Sequence, residues 1–368
     1  MSNNLSDDDI IKLYNDPKTG LIGKSAFAKK YKIPIKRLNQ ILQSVDAYNL
    51  NVPLVDRFPR RHVKVFGKGN IWELDLQDLS SEPWSLHNKG YNYILCCVDE
   101  FSRYAYCEGL KSKSSFEVAA AFNNILKLED PNLNEYQQPP KIVYTDRGTE
   151  FQGAFKQLMK TLNIPIWHST TKQKASIVER FNYTFKLRLG RLADATNSYN
   201  WIDNLQDLIY NYNNTYHTTI KMSPFEANDP ENYEAVLQGI QEYHDKSGYP
   251  EINGELKVGD YVRIPYEGTD KFTKANHTRL SIALYRIVDI KNHLYTLEDF
   301  GHPPEKLYRK YYARELVKVE EPEEFKIDKV LKTRKVKNKK ESYVSYLGYP
   351  NNERFNRWVD SSTIKNLI

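Results

Sequence analysis

Between residues 70 and 228 the chain carries an ordered series of strand and helix signals, and this series restricts its fold more than any other feature. Ile71 to Leu76 reads as a strand. Tyr91 to Val98 is apolar and rich in β-formers. It turns at Asp99-Glu100-Phe101-Ser102, and Tyr104 to Gly109 returns as a hairpin-linked neighbour. Ser114 to Leu128 has Phe116, Ala119, Ala120, Phe122 and Ile125 at helical spacing. A polar, Pro-rich loop at Asp130 to Pro140 follows. Lys141 to Thr145 and Ile164 to Trp167 are short strands on either side of a helix over Phe151 to Leu162. Ser176 to Leu192 and Trp201 to Thr215 are helices. The resulting order, β-β-β-α-β-α-β-α-α, is that of an α/β domain.

That order is the one found in the RNase H-like fold. At 368 residues the chain exceeds one average domain, so flanking modules are expected. Residues 1–50 read as a small all-α, helix-turn-helix-like domain. Ser6 caps its first helix, and a pair over Ser25 to Tyr31 and Ile35 to Val45 surrounds Ile33-Pro34. Lys36 and Arg37 lie on the second helix of that pair, where a DNA reader would place contacts. Residues 7–45 contain no Cys or His, so no zinc is expected there. Residues 51–69 read as a linker, 70–228 as the RNase H-like core and 229–255 as a polar connector. Residues 256–319 suit a small β-barrel, and 325–368 a further β unit ending in a short helix.

The charge distribution says more than the net value of +6. Seven Lys/Arg and no acid fall between Pro17 and Val45, and seven more, again without acid, between Lys329 and Lys340. Lys172 to Leu192 holds six bases against Glu179 alone. Such clusters are the footprint expected for a phosphate backbone, although each also reads as a solvated surface. Three cysteines, Cys96, Cys97 and Cys107, are too few for a disulfide scaffold, and a reducing compartment is expected. The acidic N-terminus is unlike a secretory signal, and no apolar stretch reaches membrane-spanning length, so no membrane partner is expected.

Three carboxylates stand out. Ile71-Trp72-Glu73-Leu74-Asp75-Leu76 puts Asp75 on the first strand. Tyr144-Thr145-Asp146-Arg147-Gly148-Thr149-Glu150-Phe151 puts Asp146 at a strand end before a glycine turn. Lys174-Ala175-Ser176-Ile177-Val178-Glu179-Arg180-Phe181-Asn182 puts Glu179 in the first turn of a helix. Hard divalent cations take carboxylate oxygens, and paired ions activate an attacking oxygen while stabilising a leaving one. Alternatives stay open. Asp78 could replace Asp75. Asp99 and Glu150 suit turn or cap roles better than metal binding. Glu73 is assigned to the strand face opposite Asp75, and His168 either lines the site or is structural. Cys96 and Cys97 read as core.

These segments, with Val98-Asp99-Glu100-Phe101-Ser102-Arg103-Tyr104 and Tyr212-Asn213 through His217 to Ser223-Pro224, resemble a retroviral-type integrase core with its Asp, Asp, Glu triad. The motif around Asp146 together with that around Glu179 is most similar to integrases of Maverick/Polinton elements and related virophages. The 32 residues between Asp146 and Glu179 are slightly fewer than in typical retroviral cores. The resemblance implies a metal-dependent polynucleotidyl transferase and endonuclease that nicks the 3′ ends of element DNA and joins them to a target. Asp75, Asp146 and Glu179 would hold two Mg²⁺ or Mn²⁺ ions. It also implies double-stranded DNA as partner, a homo-oligomer, and action in a host nucleus or carriage in a virus particle. Lys172, Lys174 and Lys186 are candidate DNA contacts. A cut-and-paste transposase, a retrotransposon integrase and a non-catalytic adaptor on the same core are the alternatives.

The segment 256–319 resembles the small barrel that follows many integrase cores, with Arg263, Lys271, Lys274, Arg279 and Arg286 as candidate DNA contacts. Residues 325–368 resemble a chromodomain. In that alignment Phe325, Tyr346 and Tyr349 fall on the methyl-lysine cage, which implies methylated histone tails as a partner.

Overall fold

The computed structural model describes residues 5–52, 58–127, 139–170, 176–250, 254–266, 279–321, 325–337 and 339–364. The chain forms two compact units. One is His62–Tyr249, and the other combines Met1–Arg61 with Pro250–Ile368. Among the described residues no helix is long and apolar enough to cross a membrane.

The N-terminal segment folds as helices α1 (Asp7–Asn15), α2 (Lys24–Tyr31), α3 (Ile35–Ile41) and α4 (Asp46–Asn49). Ser6 starts α1 through a reciprocal cap with Asp9, and Asp7, Asp8 and Asp9 favour its positive end. Ile10, Tyr14, Phe27, Leu38, Ile41 and Leu42 form the core between these helices.

The 62–249 unit is built on β1 (Ile71–Asp78), β2 (Tyr93–Asp99), β3 (Ala105–Leu110), β4 (Ile142–Thr145) and β5 (Ile166–His168). Helices α5 (Ser115–Lys127) and α6 (Gly153–Thr161) sit between strands, and α7 (Ser176–Thr196), α8 (Leu205–Asn213) and α9 (Tyr233–Ser247) follow. The sheet order is β3-β2-β1-β4-β5. β1, β2 and β3 pair antiparallel, while β4 and β5 run parallel to β1. Alternation sorts the side chains into two cores. Trp72, Leu74, Leu95, Cys97 and Val143 pack against α5 and α6. Ile94, Cys96, Val98 and Cys107 pack beneath Val178, Phe181 and Phe185 of α7 and Ile209 of α8.

The stretch expected as a polar connector contains α9. Val236, Gly239 and Ile240 lie on its buried side, and Val236 and Ile240 join Val65, Ile71, Phe101 and Ile220 in a third cluster. The apolar positions are sparse, so average polarity hid an amphipathic helix. Part of the expected linker is also structural here. Val65 is buried, and the Phe66 carbonyl accepts from the Tyr233 hydroxyl at 3.0 Å.

In the second unit, β6 (Tyr261–Arg263), β7 (Tyr285–Lys291), β8 (Leu294–Glu298) and β9 (Val317–Val319) form a four-stranded sheet in the order β8-β7-β6-β9. A three-stranded sheet, β10-β11-β12, comprises β10 (Ile327–Val336), β11 (Lys339–Tyr346) and β12 (Arg357–Asp360). A one-turn 3-10 helix at Ser361–Thr363 follows, and residues 365–368 lie outside the described residues.

Within the second unit a buried cation joins the 1–50 and 256–319 segments. The Arg263 guanidinium donates to Asn49 Oδ1 at 2.8 Å, Asp46 Oδ1 at 2.7 Å, and the carbonyls of Ser281 and Ile282 at 2.8 and 2.6 Å. Lys326 reaches the other Asp46 oxygen at 2.6 Å. Arg263 is only 5 % exposed, so it does not offer itself to DNA as the sequence suggested. Burial lowers its pKa, and the Asp46 carboxylate opposes that shift. Arg286 is engaged by Glu298 on the neighbouring strand. Lys271 and Lys274 lie outside the described residues.

Candidate active site

β1 is the rigid reference for the site. Its register against β4 pairs Ile71 with Ile142, Trp72 with Val143 and Glu73 with Tyr144. Asp75 lies two residues past the last of these pairs, as Asp146 does on the other strand, just beyond the end of β4. Asp75 also pairs with Cys96 of β2, whose side chain lies in the core beneath α7. Asp75 therefore faces α7.

Glu73 corrects the expectation for its own face. Residues two apart on a strand share a face, so Glu73 and Asp75 both point toward α7. The Glu73 Oε2 accepts the backbone N–H groups of Ile177 at 2.7 Å and Val178 at 2.8 Å. Two of the four donors left unpaired at the start of a helix are thus satisfied by a carboxylate from the central strand. Glu179 is the next residue, so the same contact fixes the turn that carries it. Asn182 lies one turn on and donates through Nδ2 to Asp75 Oδ2 at 2.8 Å. The side of α7 that bears Glu179 is therefore held to β1 at two points.

Asp146 is oriented by its own turn: the Gly148 N–H donates to its Oδ1 at 2.8 Å. The structure thus places Asp75 within β1, Asp146 just past the end of β4, the neighbouring strand, and Glu179 in the first turn of α7. Among the described residues no three His, Cys, Asp or Glu side chains are already clustered tightly enough to hold an ion. A donor set of carboxylate oxygens alone suits a hard divalent ion such as Mg²⁺ or Mn²⁺.

A buried polar layer supports the capped end of α7. Burial raises the Glu73 pKa, while the Val178 and Ile177 N–H groups pull it down. Burial raises that of Glu100 well above the usual range, and the nearby Glu73 charge adds to it. The two carboxyls bond each other, and the Arg103 charge acts on both. Arg103 closes the β2–β3 turn in the left-handed region, at φ 62°. Sequence reasoning quoted Glu100, Arg103 and Asn182 only as motif letters. Strand period two for Glu73 and helical i+3 spacing for Asn182 were the signals that could have assigned them.

The other candidates separate clearly. Asp99 is buried and serves its turn, accepting from the N–H groups of Gly69, Phe101 and Ser102 and from the Ser102 hydroxyl. Asp78 accepts from the Ser80 N–H and hydroxyl at 2.9 and 2.6 Å, past the end of the site. His168 ends β5, with Nδ1 3.3 Å from the Thr145 hydroxyl. Cys96 and Cys97 are fully buried, which pushes both thiol pKa values well up. Lys186 is exposed two turns beyond Glu179 on α7. Lys172 and Lys174 lie outside the described residues. Lys36 is exposed on α3, whereas Arg37 is drawn back onto Asp7 at 2.6 Å and the Leu5 carbonyl at 2.7 Å. Phe325 meets Tyr346 at 6.1 Å and Tyr349 at 5.7 Å between ring centres, both nearly perpendicular. Phe300 also packs on Phe325, at 5.4 Å, and the Tyr349 hydroxyl accepts from the Leu284 N–H at 2.9 Å.

Comparison with known proteins agrees with this architecture. The fold is similar to a chain in the cryo-EM structure of the simian T-cell lymphotropic virus intasome, solved with a PP2A regulatory subunit. The TM-score is 0.58 and identity 14 %, over 85 % of this chain and 99 % of that one. The HTLV-2 integrase catalytic core domain, solved with magnesium in a trimeric form, overlaps 45 % of this chain and all of its own, with a TM-score of 0.36 and 18 % identity. In sequence, a transposon-derived protein of Caenorhabditis elegans is 28 % identical over 178 residues, 48 % of this chain. That match spans 56 % of the relative's own length. No family model matches the chain.

Proposed function

We propose that this protein cuts and joins DNA as an integrase or transposase of the retroviral type. Its motifs favour the Maverick/Polinton and virophage branch. The observation that carries this reading is the placement of Asp75 on the central strand facing α7, with the turn of α7 that carries Glu179 held to that strand by Glu73 and Asn182. The fold shared with the viral intasome chain and the sequence shared with a transposon-derived protein support it.

Asp75, Asp146 and Glu179 would hold divalent ions, which supply charge neutralisation at phosphorus and lower the pKa of a bound water. Asn182 keeps the Asp75 carboxylate turned toward α7, and the Gly148 N–H orients one Asp146 oxygen within its own turn. Glu73 holds the helix end that presents Glu179. In the first reaction a water oxygen bonds to phosphorus as a strand P–O bond breaks, leaving a 3′-hydroxyl. In the second that hydroxyl oxygen bonds to a target phosphorus while the target P–O bond breaks. Neither reaction needs a protein nucleophile.

The test is Glu179→Gln in the full chain, incubated with a duplex of the element's terminus and a target plasmid. The expected result is loss of joined product with duplex affinity within about twofold of wild type. A variant that still joins DNA would remove Glu179 from the site.

A further inference from the structure

The basic run at 329–340, unused by the proposed chemistry, forms a projecting two-stranded ribbon. β10 and β11 pair from Ile327↔Tyr346 out to Val336↔Lys339, whereas β12 pairs with β11 only from Glu341 to Val344. Residues 335–336 and 339–340 therefore extend past the third strand, and every described residue from Leu331 to Lys340 is exposed.

Cross-strand partners share a face. Lys332 opposite Tyr343, Arg334 opposite Glu341, and Val336 opposite Lys339 define one face, which Trp358 covers at its base. Lys335 opposite Lys340, and Thr333 opposite Ser342, define the other. Arg334 is occupied by Glu341 and by the Trp358 ring, 4.0 Å away. The lysines at the tip have no acid opposite them: Lys335 faces Lys340, and Lys339 faces Val336. Directly opposed like charges destabilise a ribbon. Here they leave cations on both faces of an element whose width suits the major groove of duplex DNA. Lysines placed only to blunt a sheet edge would not need to lie on both faces.

We propose that the 332–340 ribbon grips duplex DNA, entering a groove so that Lys335, Lys337 and Lys340 meet phosphates on its walls. The inference rests on the reading that this chain handles DNA. Phosphate contacts give affinity without reading sequence, so the ribbon holds DNA of any sequence, as a target demands.

The experiment compares full-length wild type with a Lys335→Gln/Lys337→Gln/Lys340→Gln variant. A control, Lys156→Gln/Lys160→Gln/Lys246→Gln, carries the same loss of charge. Binding of a random-sequence 30-mer duplex is followed by anisotropy across a salt series. Each lost phosphate contact lowers the slope of log affinity against log salt by about 0.9, so the ribbon variant should lose roughly 2–3. Its affinity near 0.15 M salt should fall by about tenfold to a hundredfold. The control should keep its slope within about 1 of wild type. The ribbon variant should melt no lower than wild type, because the Lys335–Lys340 repulsion is relieved. An unchanged slope or an equal fall in the control would each overturn the proposal. Joining by wild type is scored separately. An unchanged slope with joining intact rejects the ribbon alone, and a reduced slope without wild-type joining rejects the catalytic reading alone.

Discussion

Replacing Glu73 by alanine tests whether a strand carboxylate holds the third acidic residue in position. In the structure Glu73 Oε2 accepts two helix-terminal N–H groups at 2.7 and 2.8 Å in a buried setting. Hydrogen bonds to a charged group contribute about 1.5–3 kcal/mol each. Part of that total is returned because the variant no longer has to desolvate the carboxylate. A net loss of about 3 kcal/mol follows, and at about 2–4 °C per kcal/mol for a unit of 150–250 residues Tm should fall by roughly 6–12 °C. Glu73→Gln keeps an acceptor oxygen without the charge and should lose about 1 kcal/mol. The assay is thermal unfolding alongside strand joining, scored well below both melting temperatures. Glu73→Ala should lose joining even where it is fully folded, because the start of α7 is no longer held against β1. Glu73→Gln should retain a measurable fraction. A Glu73→Ala protein that melts within about 2 °C of wild type and joins DNA normally would refute the capping role.

The remaining expectations concern acid stability and the buried arginine. His217 is mostly buried, and burial lowers its pKa to about 4, with Arg103 and Arg180 acting in the same direction. Its Nδ1 accepts the Thr219 N–H at 3.3 Å, so the folded state holds it neutral. Because the folded pKa lies below the unfolded value, its contribution is complete above pH ~6.5 and is lost as pH falls through about 4, by at most roughly 3 kcal/mol. Urea midpoints measured from pH 7 to 4 should fall steeply in wild type and less in His217→Gln. Arg263→Ala leaves Asn49 and two carbonyls without their donor, while Asp46 keeps Lys326, so the 1–61/250–368 unit should lose about 1–3 kcal/mol. Denaturant unfolding would show this, and an unchanged transition would return Arg263 to the candidate DNA contacts.

The sequence alone marked most elements of the core. Each strand there is a short apolar run bounded by a turn signal, and each helix has a one-sided apolar stripe. It also singled out Asp75, Asp146 and Glu179 as candidates, because each sits in a compact motif. What it missed depended on partners distant in the chain. Glu73 shows its role only when α7 docks on β1, 104 residues later. Likewise, Asp46 and Arg263 lie 217 residues apart, and no local pattern records that they meet. The segment 233–247 read as a connector because most of its residues are polar, and only packing shows which few are buried. Propensity and periodicity are local properties, so they are legible along the chain. Partner choice for a buried charge is set by which elements fold against it, so the tertiary structure alone decides it.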